Sequence, residues 1–203
     1  MKVLCVSDTV VPELYPRVDK GWLGAVDLIL SCGDLPPEYL GHLRNALDAP
    51  LYYVRGNHDL RYTGKPPEGC IDVHRRIIRF GPLRILGLEG SRWYNGGPIQ
   101  YTEAQMRGMA WRLMPAIWWN RGVDIILTHA PPRYVNDAED LCHRGFKTYR
   151  KMIDRYAPAL LLHGHIHALF SNDAQRVGRQ GRTRVINCYG YFRFDLDEDG
   201  NLP

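Results

Sequence analysis

Short apolar runs alternate along the chain with longer segments of helical periodicity. The runs are rich in leucine, valine and isoleucine and lie at residues 3–6, 27–30, 51–54, 83–88, 124–127, 159–162, 185–187 and 191–196. Runs of this length and composition are typical of buried strands. Strands that alternate with helices are typical of an α/β fold. The pattern therefore predicts an α/β protein with parallel strand pairs.

Three segments show the apolar spacing of helices that bury one face, at residues 38–47, 102–119 and 146–156. Thr102 is a suitable N-cap for the second of them. Pro115 lies inside the same segment and is expected to kink or end the helix, because proline lacks the N–H that a helix interior needs. Segments rich in glycine, proline and polar residues are predicted to be surface loops, at residues 61–69, 90–100 and 131–145.

Polar residues follow five of the predicted strands at the point where each strand ends. They stand in Ser7-Asp8, Gly33-Asp34, Gly56-Asn57-His58-Asp59, Thr128-His129 and His163-Gly164-His165-Ile166-His167. The carboxyl ends of strands in an α/β sheet gather at one edge, where ligands bind. We therefore expect these side chains to form one polar centre, although they are spread over most of the chain.

Length and composition exclude several classes of protein. A chain of 203 residues with 45% hydrophobic and 24% charged residues predicts one globular domain over 1–203, and excludes a disordered chain or a coiled coil. The net charge of +4 permits an anionic substrate but is small for a nucleic-acid-binding domain, so a nucleic-acid partner is not expected. The arginines at 176–184 are interpreted as solvated charge.

The expected compartment is the cytoplasm. No apolar run approaches the ~18 residues that cross a bilayer, and the apolar start of the chain is too short for a signal peptide. The five cysteines are odd in number and include no C-x-x-C pair, which favours reduced thiols. No membrane partner is predicted.

The polar residues at the strand ends form a set of metal donors without thiolate. Carboxylate, amide and imidazole groups suit Mn, Fe, Zn, Ni or Co. The six donors exceed what one ion with an open position needs: Asp8, Asp34, Asn57, His129, His165 and His167. Two divalent ions ~3.5–4 Å apart that share one carboxylate use such a set and favour displacement at phosphorus.

The motifs resemble those of the calcineurin-like metallophosphoesterases. That family has D-x-H, G-D, G-N-H-D/E, a lone His after a strand, and G-H-x-H, in this order, and the resemblance here spans residues 3 to about 190. It implies a four-layer α/β/β/α sandwich of two mixed sheets flanked by helices. It also implies hydrolysis of a small phosphodiester or phosphomonoester at a dinuclear site with a bridging hydroxide, with a diester favoured.

The resemblance also implies a role for each matching residue. Asp8 and His167 bind the first metal, Asp34 bridges the two ions, and the second metal is bound by Asn57, His129 and His165. His58 and Asn57 contact the phosphate, and Asp59 orients His58. His143, in the loop after His129, is a further candidate for a substrate contact, although its position in a polar loop explains it equally well.

One position departs from the family pattern. Val10 stands where the family has the histidine of D-x-H. In the family that histidine binds metal, whereas a valine side chain offers no ligand atom. The first metal site is therefore expected to be the weaker one, unless water or a nearby side chain completes it. Glu13, Tyr15 and Tyr39 are the nearby candidates in the sequence.

Two other functions remain open on the sequence. The first is a family member that has lost its catalytic activity and serves as a protein-binding scaffold. Val10 is consistent with that interpretation. A nuclease-type phosphodiesterase is the second alternative. The tryptophans at helical spacing in residues 102–119 are interpreted as core or as a subunit contact rather than as a stacking platform: Trp111, Trp118 and Trp119.

Overall fold

The computed structural model describes residues 1–197, so residues 198–203 of the predicted domain lie outside the described part. The strands are β1 (Lys2–Ser7), β2 (Leu28–Ser31), β3 (Leu51–Tyr53), β4 (Ile71–Asp72), β5 (Ile77–Phe80), β6 (Leu83–Leu88), β7 (Ser91–Arg92), β8 (Gln100–Tyr101), β9 (Ile125–Thr128), β10 (Leu160–His163), β11 (Val177–Gln180), β12 (Thr183–Asn187) and β13 (Gly190–Asp195). The helices are α1 (Lys20–Leu23), α2 (Pro37–Leu47), α3 (Glu103–Trp119) and α4 (Lys147–Tyr156).

The longer strands form two mixed sheets. The first sheet has the order β13-β1-β2-β3-β4, in which β1 to β4 are parallel and β13 is antiparallel. The second sheet has the order β11-β12-β10-β9-β6-β5, with four parallel central strands and an antiparallel strand at each edge. The parallel strands place their carboxyl ends at one edge of each sheet.

Alternation of side chains along the strands sorts the core into layers. On β1, Val3 and Cys5 pack inward with residues of the second sheet such as Ile125, while Leu4 and Val6 pack outward with residues of α2. The outward residues of the second sheet pack against α3 and α4. The order of layers is helix, sheet, sheet and helix, which confirms the predicted fold.

The predicted strands all overlap observed ones, and the short strands β4, β7, β8 and β11 were not predicted. β11 has the sequence VGRQ, which has no apolar alternation to signal a strand. Pro115 was predicted to kink or end its helix, and the second alternative is wrong, because α3 continues through it to Trp119. The carbonyl that loses its partner belongs to Trp111, whose side chain is 71% exposed, so this side of the helix is open to solvent.

The tryptophans of α3 were interpreted as core or as a subunit contact, and the first of these interpretations is wrong. Trp111, Trp118 and Trp119 are 71%, 79% and 80% exposed, while Met106 and Ile117 form the buried stripe of the same helix. The helix therefore buries a narrow face and presents large aromatic side chains to solvent. No helix within the described residues is long and apolar enough to span a membrane.

Candidate metal centre

The five predicted strand ends meet between the two sheets. The side chain of Asp8, after β1, lies 3.4 Å from Nε2 of His167, which follows β10. The side chain of Asp34, after β2, lies 3.3 Å from Nε2 of His129, which follows β9. The same nitrogen lies 3.1 Å from Oδ1 of Asn57, after β3. Donors more than a hundred residues apart in sequence thus share one site.

Left-handed backbone turns aim several donors into the centre. Asp8, Asp34 and His165 have φ values of 66°, 57° and 67°, a region that non-glycine residues seldom adopt. Such outliers persist where surrounding contacts hold them, and they cluster at functional sites. Asp8 is held in this way, because its carboxylate accepts a hydrogen bond from the backbone N–H of His165 at 3.0 Å.

The glycines that precede the donors serve two different purposes. Gly33 has a φ of 94°, so it provides the sharp turn before Asp34. Gly56 and Gly164 provide space, because a Cβ would lie 2.0 Å from Oδ1 of Asp34 at Gly56 and 2.4 Å from Oδ2 of Asp8 at Gly164. Alanine at either position would collide with a candidate metal ligand.

One group of donors has the geometry of a metal site. Ligand atoms of Asp34, His129 and His165 all lie within 4.8 Å of one another. Nδ1 of His129 donates to the Cys32 carbonyl at 2.8 Å, and Nε2 of His165 donates to the Cys142 carbonyl at 2.8 Å. Since each ring uses one nitrogen on a carbonyl, the other nitrogen faces the site as a ligand atom, the arrangement that outer partners give to metal-binding histidines.

The site attracts positive charge. Burial opposes ionisation of Asp34, but the charge and hydrogen bond of His129 lower its pKa to about 2. Burial likewise opposes the charge on His129, yet Asp34 raises the pKa of His129 to about 9. Burial lowers the pKa of His165 to about 3, so its imidazole is neutral at pH 7 with a lone pair available. Ionised carboxylates beside a neutral imidazole fit a divalent transition metal.

The other part of the centre has fewer donors. Its candidate donors are Asp8, Asp34 and His167, and Val10 packs against the apolar cluster outside the first sheet. The candidate substitute Tyr39 is buried in that cluster, and Tyr15 packs edge-on against it at 5.8 Å. Glu13, the third candidate, is exposed. The weaker binding of the first metal stays a prediction.

His58 stands at the mouth of the centre. Its backbone N–H donates to Oδ1 of Asp34 at 2.8 Å, and its side chain is exposed. It lines a cleft of about 220 Å³ together with Asp34, Pro36 and Arg61. The imidazole is therefore accessible to a ligand that enters beside Asp34.

The Asp59 carboxylate contacts backbone groups of two loops, and its predicted role of orienting His58 stays a prediction. Its carboxylate accepts hydrogen bonds from the backbone N–H groups of Asp34 and Gly56, both at 2.7 Å, and of Leu35 at 3.1 Å. Among the described residues it has no hydrogen bond to the His58 imidazole. Burial and the nearby Asp34 charge raise the pKa of Asp59 to about 6. The contacts show that Asp59 connects the two loops that carry Asp34 and Asn57.

Two side chains near the centre complete its surroundings, one of them missed by the sequence analysis. Tyr94, in the 90–100 loop, accepts a hydrogen bond from Nδ2 of Asn57 at 3.3 Å. His143 lies over the G-H-x-H histidines, with its ring centroid 5.3 Å from that of His165, and its Nδ1 bonds Asp140 at 3.0 Å. A lone tyrosine in a polar loop carries no sequence signal, so only the fold brings Tyr94 to the site.

Comparison with known proteins agrees with this geometry. The chain matches the family model of the calcineurin-like phosphoesterases over residues 1–169. It is 26% identical over 188 residues to a 3',5'-cyclic-nucleotide phosphodiesterase of Nostoc sp. (strain PCC 7120), an alignment that covers 82% of this chain and 64% of the relative. The chain thus spans less than two thirds of the length of that relative.

Solved structures show the same fold. A protein of Thermus thermophilus aligns with a TM-score of 0.63 and 17% identity, over 93% of this chain and 89% of the other. A second solved structure aligns with a TM-score of 0.68 and 14% identity, over 96% of this chain and 94% of the other. At these identities the likeness concerns the fold.

Proposed function

The chain belongs to the calcineurin-like phosphoesterase family, and on that premise we propose that it hydrolyses a small phosphate ester, preferably a phosphodiester. The observation that carries the proposal is the meeting of six metal donors from five strand ends, with Asp34, His129 and His165 grouped within 4.8 Å. The phosphodiesterase name of the Nostoc relative supports the preference for a diester.

The donor set fits two divalent ions of Mn, Fe, Zn, Ni or Co. Asp8 and His167 would hold the first ion, Asn57, His129 and His165 would hold the second, and Asp34 would serve both. When bound, such ions make water a stronger nucleophile and withdraw charge from phosphoryl oxygens. The carbonyls of Cys32 and Cys142 keep the rings of His129 and His165 in one orientation, so the chain orders the site before metal binds.

The chain's own side chains act on the substrate. His58, at the mouth of the cleft, stabilises charge on the phosphoryl group or gives a proton to the leaving alkoxide. Nδ2 of Asn57 donates to the Tyr94 oxygen, and the Tyr94 hydroxyl also hydrogen-bonds the Cys142 side chain, so Tyr94 orients Asn57 beside the substrate. His143 is oriented by Asp140 and contacts the substrate from the side of His165.

The proposal predicts turnover that depends on metal. The purified chain should hydrolyse bis-p-nitrophenyl phosphate with added Mn, Ni or Zn and lose this activity with a chelator. Metal analysis should find the second site filled before the first. If the chain with both sites filled turns over no phosphate ester, the phosphoesterase proposal is wrong and the scaffold function takes its place. Inhibition by short oligonucleotides that weakens steeply with salt would instead indicate a nuclease.

His58→Ala should lower turnover of poorly activated esters by roughly a hundredfold, the usual scale for a proton donor or charge-stabilising group. Metal content should be unchanged, because the imidazole is exposed and its residue contacts Asp34 through the backbone. Esters with a good leaving group should lose less, if the imidazole gives up a proton. A variant that loses metal together with activity would show that His58 is a ligand. His42→Ala, on α2, is the matched control.

A further inference from the structure

A basic cavity lies at the end of the second sheet opposite the candidate metal centre. Its volume is about 510 Å³, and its lining includes five arginines: Arg84, Arg121, Arg179, Arg182 and Arg184. Among the described residues that line it, Asp124 is the single acidic one. The lining comes from the amino ends of β6, β9, β10 and β12, whereas the metal donors follow the carboxyl ends of β9 and β10. The two sites are therefore separate.

A fixed guanidinium anchors one side of the cavity. Arg84 binds both carboxylate oxygens of Asp124, through Nε at 2.8 Å and Nη2 at 2.6 Å, and its Nη1 donates to the carbonyls of Asn120 and Arg121. These contacts hold the turn between α3 and β9 in place. Arg84 and Asp124 neutralise each other. The rest of the lining, among the described residues, includes four arginines and no acidic residue.

The opposite side of the cavity is the hairpin of β11 and β12. Arg179 and Arg184 are direct partners across this antiparallel pair, and Arg182 follows Gly181 in the turn. Arg121 and Arg179 have no side-chain hydrogen bond or ion pair within residues 1–197, so their guanidinium groups are available to a bound anion.

An apolar groove adjoins the arginine cavity. Its volume is about 670 Å³, and it shares Arg121, Gly122 and Tyr156 with the cavity. Trp118, which is 79% exposed, forms part of its wall together with Met114 and Ile117. The groove therefore offers aromatic surface directly beside concentrated positive charge.

We propose that the cavity and the groove together bind a nucleotide, with its phosphates among the arginines and its base against Trp118. Guanidinium groups bind phosphate oxygens in a bidentate manner, and aromatic side chains stack on bases of any sequence. The cavity has the size of ordinary small-ligand sites, ~300–1,000 Å³. This site does not depend on the proposed phosphoesterase activity.

Binding of ADP to the full chain tests the proposal, with tripolyphosphate and adenosine as partial ligands. Asp34→Ala is included so that binding at the metal centre is measured separately. Arg121→Gln and Arg182→Gln should each weaken ADP binding by roughly tenfold, as for one charge-assisted contact. Trp118→Ala should weaken ADP binding but leave tripolyphosphate binding unchanged. Arg107→Gln, on the exposed side of α3 outside both cavities, is the matched control and should bind like the parent chain.

Three outcomes would overturn the proposal. The first is absence of saturable ADP binding, or binding that requires Asp34 and is indifferent to Arg121 and Arg182. The second is tripolyphosphate binding as tight as that of ADP together with no effect of Trp118→Ala, which would indicate a simple polyanion site. The third is displacement of ADP by oligothymidylate at far lower concentration than by ADP itself, which would indicate a nucleic-acid surface.

Discussion

Asp34→Ala should remove most of the metal from the chain and lower phosphodiester turnover by roughly a thousandfold or more, since metal ions contribute several kcal/mol to such reactions. In the proposed centre, Asp34 is the one residue that both ions share. Its Oδ2 lies 3.3 Å from Nε2 of His129, and its Oδ1 holds the His58 backbone at 2.8 Å. Loss of the carboxylate therefore weakens both metal sites and loosens the loop that carries His58.

A second variant separates charge from shape. Asp34→Asn keeps an acceptor for the His58 N–H but removes the negative charge, so it should fold normally and still lose metal. In the metal-free protein, either variant should lower the pKa of His129 well below about 9, because Asp34 is what raises it against burial. Titration of the imidazole by NMR measures this change without any turnover. Asp27→Asn, directly before β2, is the control.

Full metal content in Asp34→Asn would contradict the bridging role. An unchanged pKa of His129 would contradict the electrostatic account of the centre even if activity were lost. The two readouts are independent, because the first needs bound metal and the second is made in its absence.

The positions of the donors could be predicted because they depend on topology alone. Buried apolar runs signal parallel strands, and parallel strands bring Asp8 and Asp34 to one edge of the first sheet and His129 to one edge of the second. The layers follow from the same runs, since alternate residues such as Leu4 and Cys5 face opposite sides of a sheet. This part of the fold requires no knowledge of side-chain contacts.

The orientation of the site could not be predicted in the same way. The left-handed backbone of Asp8 and of His165 has no signal in the neighbouring sequence, because aspartate and histidine adopt other backbone conformations at most positions. The role of Asp59 was implied by the family resemblance, whereas its observed contacts are with backbone groups brought close by two separate loops. Contacts across long sequence separation depend on how loops close over the sheets, which periodicity does not encode.

The same limit explains the aromatic and basic surfaces. The spacing of Trp111 and Trp118 is compatible with a buried helix face, and only the packing of α3 on the second sheet shows that Met106 and Ile117 occupy that face instead. The arginines that line the basic cavity come from three places along the chain. Each resembles ordinary solvated charge in the sequence, and their grouping exists only in the folded protein.

Asp59→Ala should lower the free energy of unfolding of the metal-free chain by about 3 kcal/mol, because an unsatisfied buried hydrogen-bond donor costs ~1–3 kcal/mol. The variant leaves three backbone N–H groups without their acceptor, those of Asp34, Leu35 and Gly56. Relief of a buried carboxylate offsets part of this cost, as the raised pKa of Asp59 indicates. Denaturant unfolding of the two proteins measures the difference.

Asp59→Asn should lose less stability than Asp59→Ala, since its single amide oxygen still accepts from Asp34 and Gly56 and only the Leu35 N–H loses its partner. Asp19→Ala is the control, because Asp19 accepts one exposed backbone N–H, that of Trp22 at 3.1 Å, and should cost ~1 kcal/mol. Metal affinity should fall with Asp59→Ala, because the loops that carry Asp34 and Asn57 are no longer joined. Unchanged stability with a selective loss of turnover would instead return Asp59 to its predicted role beside His58.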